Sequence, residues 1–135
     1  MTGLEPGLAA RLAHVEARLA YEIDVVAAEQ AVASGSVVLV DTRRLASWEH
    51  GHIAGALHLP TVGIDALPRD RTVIVYGWGP GCNGATATAR MLLGTGLDVR
   101  ELLGGYEYWV RNGFPTEADG VIARAAPDPL VTADS

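Results

Sequence analysis

Apolar runs recur along this chain, separated by polar and amphipathic stretches. Residues 37–41 read VVLVD, an apolar run closed by an acid, and residues 72–76 read TVIVY. Runs of this kind are typical of strands buried on both faces of a sheet. Shorter apolar runs at residues 20–24, 56–59 and 99–103 predict three more strands. Strands separated by helical stretches indicate βαβ units, so we predict an α/β fold with an open parallel five-stranded sheet.

Helical periodicity and glycine stops mark the stretches between these strands. Residues 25–34 predict a helix that ends at Gly35, and residues 83–93 predict another that ends at Gly94. A further helix is predicted to follow the glycine pair at 104 and 105 and to run through Arg111. Connections of this kind place helices on both faces of a parallel sheet.

The chain divides into three predicted segments: an N-terminal amphipathic helix over residues 1–20, an α/β domain over residues 21–116 and a C-terminal tail over residues 117–135. The first segment has apolar residues at helical spacing, namely Leu8, Leu12, Val15 and Leu19. We expect this helix to pack on the domain as a structural lid or as an oligomer contact, which makes a homodimer one predicted assembly. The tail is expected to lie across the domain or to stay mobile.

Composition restricts the class of function. Hydrophobic residues make up 49% of the chain and charged residues 19%, as in folded globular proteins. Neither a membrane-spanning run nor a signal-peptide segment is recognisable, so we expect a cytoplasmic protein without membrane partners. A net charge of −6 argues against nucleic acid as a partner. All ten basic residues are arginine, which excludes Schiff-base catalysis by lysine.

The candidate chemistry lies in the segment YGWGPGCNGAT, residues 76–86, which holds the only cysteine, Cys82. This segment connects a predicted buried strand to a predicted helix, whose N-terminus stabilises a thiolate. We therefore predict that Cys82 is catalytic. The loop around it is the predicted substrate-binding site, formed by Gly77, Trp78, Gly79, Pro80, Gly81, Asn83, Gly84, Ala85 and Thr86.

The four loop glycines are expected to adopt positive φ angles, so that successive backbone amides form an anion-binding nest. Because parallel strands end at the same edge of a sheet, residues 41–43 and 103–105 are expected beside this loop. The loop contains no arginine, and Arg90 lies about two turns inside the following helix. A phosphate dianion is therefore a poor substrate, whereas a persulfide sulfur can be held by amides alone.

Three stretches of the chain resemble the rhodanese-like domain family. The first is VLVDTR at residues 38–43, followed by WEHGHIAGALHLP at 48–60. The second is the strand and loop at 73–86, and the third is LGG at 103–105 with Trp109 and a GFP triplet. The resemblance covers residues 21–116. It implies a parallel five-stranded sheet with helices on both faces, and sulfur transfer through a persulfide on a loop cysteine.

The resemblance also implies roles for residues outside the loop. Asp41 and Arg43 are expected to support the loops, with Glu49 as an added partner for Arg43. His52 is expected to hold its own turn, and Trp109, which follows Gly105, to anchor the last helix in the core. Trp78 is expected either to wall the pocket or to cover the sheet edge. His50 and His58 lack metal-ligand spacing, so we predict neither a metal nor a cofactor.

Two departures from the family leave alternatives open. Gly77 stands where the family usually has its nucleophile, and no arginine closes the loop. A long-loop subgroup has two cysteines in this segment, of which this chain keeps the second, Cys82. The leading prediction is a sulfurtransferase that takes sulfur from a small donor such as thiosulfate and passes it to a thiol or cyanide. The alternatives are a catalytically inactive binding or regulatory module and a redox sensor that forms intermolecular disulfides.

Overall fold

The five predicted strands form one parallel sheet. The computed structural model describes residues 3–132 and places these strands in the order β1-β6-β5-β2-β4. In chain order, the elements are α1 (Pro6–Tyr21), β1 (Glu22–Ile23), α2 (Val25–Ala33), β2 (Val37–Asp41), α3 (Leu45–His50), β3 (His52–Ile53), β4 (Leu57–His58), α4 (Leu59–Val62), β5 (Thr72–Tyr76), α5 (Gly84–Gly94), β6 (Val99–Leu102), α6 (Gly105–Arg111), β7 (Thr116–Ala118) and β8 (Val121–Ala123). The predicted fold class is confirmed.

The central strand β5 explains why the core has two layers. Successive side chains of a strand point to opposite faces. Ile74 and Tyr76 pack on one face against α2 and α6, whereas Val73 and Val75 pack on the other face against α5. All four side chains are fully buried. Because residues 73–76 present large hydrophobic side chains to both faces, the strand is covered on both sides, as its sequence indicates.

Short elements beyond the five strands were not predicted. Helix α3 fills the connection from β2 to β3, and β3 pairs with β7 of a small antiparallel sheet, β3-β7-β8. The tail therefore begins as a hairpin and continues over α6, where Arg111 forms an ion pair with Asp128 at 2.8 Å. Its described part lies across the domain, one of the two predicted arrangements. Residues 133–135 of the tail, like residues 1–2 of the N-terminal segment, lie outside the described residues.

The expectation that α1 packs on the domain as a lid is wrong, whereas its alternative role as an oligomer contact stays a prediction. None of its residues is buried, and its apolar positions remain between 44% and 72% exposed. Only its last turn is attached: Arg100 donates hydrogen bonds to the carbonyl oxygens of Leu19 and Glu22, and Tyr21 donates to Glu101. Within the described residues, no helix has the length and apolar character needed to cross a bilayer.

Candidate functional site

Three loops meet at the carboxyl edge of the sheet, as predicted. The backbone amide and the hydroxyl of Thr42 both donate to the carbonyl of Tyr76, which joins the end of β2 to the end of β5. On the other side, the amides of Tyr106 and Glu107 donate to the carbonyls of Gly77 and Trp78. The cysteine loop is therefore held between the β2–α3 connection and the first turn of α6.

The loop glycines have a different role from the predicted one. None of Gly77, Gly79, Gly81 and Gly84 has a φ angle in the left-handed region, so the expectation of a nest built on positive φ is wrong. The left-handed conformation occurs instead at the neighbouring pair that begins α6, including Gly105 with φ +61°. The loop glycines serve by lacking a side chain where other groups approach closely.

Gly105 lets the cysteine loop pack closely against the start of α6, because it has no side chain. A Cβ atom at this position would lie 2.7 Å from the carbonyl oxygen of Gly77 and 2.9 Å from the amide nitrogen of Gly79. Both are backbone atoms, which a side-chain rotation cannot move away. Any larger residue must therefore push the cysteine loop from its position.

Gly105→Ala is expected to displace the cysteine loop and so to lower turnover in the predicted sulfur transfer by about 100-fold, because displacements near 1 Å have effects of this size. The control is Gly35→Ala, which has the same left-handed strain at φ +77° but no atom within 4 Å of the added Cβ. Both variants are expected to lose about 1–2 kcal/mol of stability from this strain. Steady-state turnover and urea unfolding separate the two effects, and equal turnover in both variants would contradict the loop contact.

The thiol of Cys82 occupies the space in front of Gly77. The Sγ atom lies 2.8 Å from where a Cβ at position 77 would stand, and 3.5 Å from the corresponding point at Gly84. Cys82 precedes Asn83, the N-cap residue of α5, and its side chain is partly exposed. Within residues 3–132, Sγ has no hydrogen-bond partner. The second cysteine of the long-loop pattern thus reaches the place where a side chain at position 77 would begin.

Gly77→Cys is expected to form a disulfide with Cys82 under mild oxidation. The new Cβ would lie 3.3 Å from the Cβ of Cys82, just below the roughly 3.5–4.5 Å found in disulfides. Thiol titration is expected to detect no free thiol after oxidation and two after reduction. Gly81→Cys is the control, because its Cβ faces the indole of Trp78 at 3.1 Å. Two free thiols in oxidised Gly77→Cys would contradict the placement of Sγ.

An open cleft of about 440 Å³ lies over the thiol. Trp78 forms one wall and is 57% exposed, so it lines the pocket rather than covering the sheet. The first turn of α5 borders the cleft at Gly84. No acceptor in the described chain pairs with the backbone amides of residues 84–86. The remaining lining residues come from the β2–α3 connection and from α3, and are Thr42, Arg43, Arg44 and Ser47.

Asp41 and Arg43 form a buried ion pair beneath the cleft. The guanidinium donates to both carboxylate oxygens, with the shortest distance at 2.7 Å, and also to the carbonyl of Gly51 at 2.7 Å. It stacks on Tyr106, with its central carbon 4.2 Å from the ring centre. Burial alone would lower the pKa of Arg43, but the hydrogen bonds and charge of Asp41 outweigh it and raise the pKa. The expected contact with Glu49 is absent from the described interactions of Arg43, because Gly51 and Tyr106 occupy the free side of its guanidinium.

Arg44 is the candidate functional residue that the sequence reasoning missed. It follows the buried Arg43, but its own side chain is exposed and lines the cleft with Cys82. Among residues 3–132, no carboxylate lies within ion-pair distance of it. The sequence feature that could have indicated this role is the pair of consecutive arginines, Arg43 and Arg44, shortly after the second predicted strand. A positively charged residue from another loop therefore lines the same cleft as the thiol, while Arg90 does not line it.

Four other residues of the predicted substrate-binding loop do not line the cleft over the thiol. Pro80 faces a different hollow, which is lined by residues of α2 and α6. Ala85 is buried in the core, and the hydroxyl of Thr86 donates to Glu101 at 2.8 Å. Asn83 is exposed and provides no side-chain cap for α5.

The two remaining support residues lie away from the thiol. The Nδ1 atom of His52 lies 2.9 Å from the carbonyl oxygen of Trp48, and its ring stacks on that indole. Trp109 is 1% exposed, and its indole nitrogen donates to the carbonyl of Pro115. The contact of His52 holds its own turn, and Trp109 lies in the core, where it anchors α6.

Comparison with known proteins decides the family. The model of the rhodanese-like domain matches residues 24–112. The chain belongs to the rhodanese-like domain family. A crystal structure of a Bacillus halodurans protein superposes with a TM-score of 0.72 and 31% identity, over 84% of this chain and 87% of that one. The predicted family is therefore confirmed.

Two curated relatives differ in their described functions. A helix-turn-helix-type transcriptional regulator of Mycobacterium tuberculosis is 31% identical over 88 residues, which are 62% of this chain and 39% of the regulator. Thiosulfate sulfurtransferase 16 of Arabidopsis thaliana is 25% identical over 118 residues, 76% of this chain and 98% of that protein. This rhodanese-like chain is thus related both to a sulfurtransferase of similar length and to part of a regulator.

Proposed function

We propose that this protein is a sulfurtransferase that carries sulfane sulfur as a persulfide on Cys82. The observation that carries the proposal is the position of Sγ, in front of Gly77 and open to a cleft that contains an unpaired arginine. The relationship to a chloroplastic thiosulfate sulfurtransferase supports the same chemistry. The predicted cytoplasmic location forms part of the proposal.

The reaction divides into two displacements on sulfur. The thiol first loses its proton to solvent, and the thiolate attacks the outer sulfur of thiosulfate. The S–S bond of the donor breaks, and sulfite leaves with the bonding electron pair. Cyanide or an acceptor thiolate then attacks the outer sulfur of the persulfide and releases the Cys82 thiolate. The unpaired amides and dipole of the first turn of α5 favour negative charge on the sulfur in both steps.

Arg44 is assigned to the sulfonate end of the donor. Arg44→Ala is expected to raise the KM for thiosulfate about two- to fivefold and to leave kcat within about twofold, because a single exposed charge–charge contact contributes at most about 1 kcal/mol. The effect should shrink as salt is added. Arg90→Ala, an exposed arginine of α5 outside the cleft, is the control and should leave KM unchanged. An unchanged KM in Arg44→Ala would contradict this role.

The alternative is a module that binds but does not transfer sulfur. Two observations favour it: Sγ has no hydrogen-bond partner within residues 3–132, and one relative is a transcriptional regulator. The deciding experiment incubates the wild-type protein with thiosulfate and cyanide and measures thiocyanate. Turnover that is saturable in thiosulfate supports the transferase, and thiocyanate at the rate of the protein-free mixture supports the binding module.

A further inference from the structure

Helix α1 exposes an apolar seam that no part of the described chain covers. Its members are Leu8, Leu12, Val15 and Leu19, at 44%, 49%, 50% and 72% exposure. Their spacing of four, three and four residues is the a/d pattern of a coiled coil. Leu19 lies in the turn nearest the sheet and is the most exposed of the four, and the hollow that Val15 and Leu19 line with Leu103 leaves both side chains at least half exposed. Helix α1 has sixteen residues, and within the described chain hydrogen bonds attach only its last turn to the sheet. An isolated helix of this length is only marginally stable in water, so packing along the seam would stabilise it.

The charges beside the seam identify the partner and its direction. Arg11 occupies a g position and Glu16 the e position five residues later. In a parallel coiled coil, the residue at position g of one helix faces the residue at position e of the next heptad on the other helix. Arg11 of each copy therefore lies opposite Glu16 of the other copy, which gives two such pairs. In an antiparallel coiled coil, g positions face g positions. Arg11 and Arg18 of one copy would then lie opposite Arg11 and Arg18 of the other copy, where like charges repel. Neither Arg11 nor Glu16 has an ion pair within the described chain.

We propose that α1 pairs in parallel with α1 of a second copy of this chain, as a two-stranded coiled coil. The two domains then extend from the C-terminal end of the coil. The seam spans about two heptads, so the dimer dissociates on dilution. This proposal is independent of the sulfur chemistry, because the cysteine loop lies outside α1.

Light scattering and sedimentation of the full chain test the pairing. The wild type is expected to show the mass of two 14.2 kDa copies at high concentration. The double variant Leu12→Glu/Leu19→Glu should show one copy at every concentration, and its thermal midpoint should equal that of the wild type at dilutions where both are single copies, because these side chains are already exposed. Leu93→Glu, 46% exposed on α5, is the control and should remain dimeric. A wild type of one copy, a dimeric double variant or a mass of four copies would overturn the proposal.

Charge reversal tests the direction. Arg11→Glu and Glu16→Arg should each raise the dimer dissociation constant about tenfold, and the double variant should restore it. The charges at e and g set this orientation, and neither residue has an opposite charge three or four positions away on its own helix. Tighter association of Arg11→Glu would show antiparallel pairing and overturn the parallel arrangement, as would a double variant that fails to recover.

Discussion

Cys82→Ser is expected to abolish sulfur transfer, with turnover falling by more than about 1000-fold to the rate of the protein-free mixture. Serine keeps the shape of the side chain but lacks a thiolate that can attack sulfur and hold it as a persulfide. Cys82 is also the only thiol of the chain, so no other cysteine can take over the step. Thiocyanate formation from thiosulfate and cyanide measures the loss.

The fold of this variant is expected to remain intact. Cys82 is partly exposed and makes no side-chain hydrogen bond in the described structure, so its replacement should change stability by less than about 0.5 kcal/mol. Urea unfolding checks this. Residual turnover well above the protein-free rate would show that the reaction does not pass through Cys82.

Asp41→Asn is expected to reduce the free energy of unfolding by about 3–5 kcal/mol, because it leaves the buried guanidinium of Arg43 without a counter-charge. The exposed fractions of the two side chains are 0% for Asp41 and 8% for Arg43, so water cannot replace the carboxylate. A domain of this size is stable by only about 5–15 kcal/mol in total. The β2–α3 connection should lose its position, and with it one wall of the cleft.

A double-mutant cycle tests the cause. Adding Arg43→Met removes the unpaired charge, so the double variant should lose less stability than the sum of the single losses. The control is Glu22→Gln, which removes the counter-charge of Arg18 in a pair with side chains 57% and 25% exposed and should lose at most about 0.5 kcal/mol. Urea midpoints give all four values. Additive losses of Asp41→Asn and Arg43→Met would contradict a coupled buried pair.

The main strands could be predicted because short continuous apolar runs are typical of strands that are buried on both faces of a parallel sheet. Residues 37–41 and 72–76 form β2 and β5 with the predicted bounds, and a strand with several consecutive apolar side chains must be covered on both faces. Strands β3, β7 and β8 have two or three residues each, too few for a period to be recognised. Their pairing requires residues 116–123 to fold back beside β3, which the sequence pattern does not indicate.

The site was predictable in its location but not in its detail. The order of a parallel sheet brings the ends of β2 and β5 together, and this places Cys82 beside residues 42–44. The different positions of the two neighbouring arginines could not be predicted from their residue type: Arg43 pairs with the buried Asp41, and Arg44 lines the cleft. The loop glycines were expected for their backbone freedom, whereas Gly77 is required for close approach, and Gly105 outside the loop is required for both close approach and a positive φ angle.

The most direct test of the account is the intact mass of the protein after incubation with thiosulfate and removal of the excess donor. The wild type is expected to gain one sulfur atom, which cyanide removes, and Cys82→Ser is expected to gain none. The persulfide should also block alkylation of Sγ until it is discharged. A wild-type mass without added sulfur, or an adduct that persists in Cys82→Ser, would contradict a persulfide carried on Cys82.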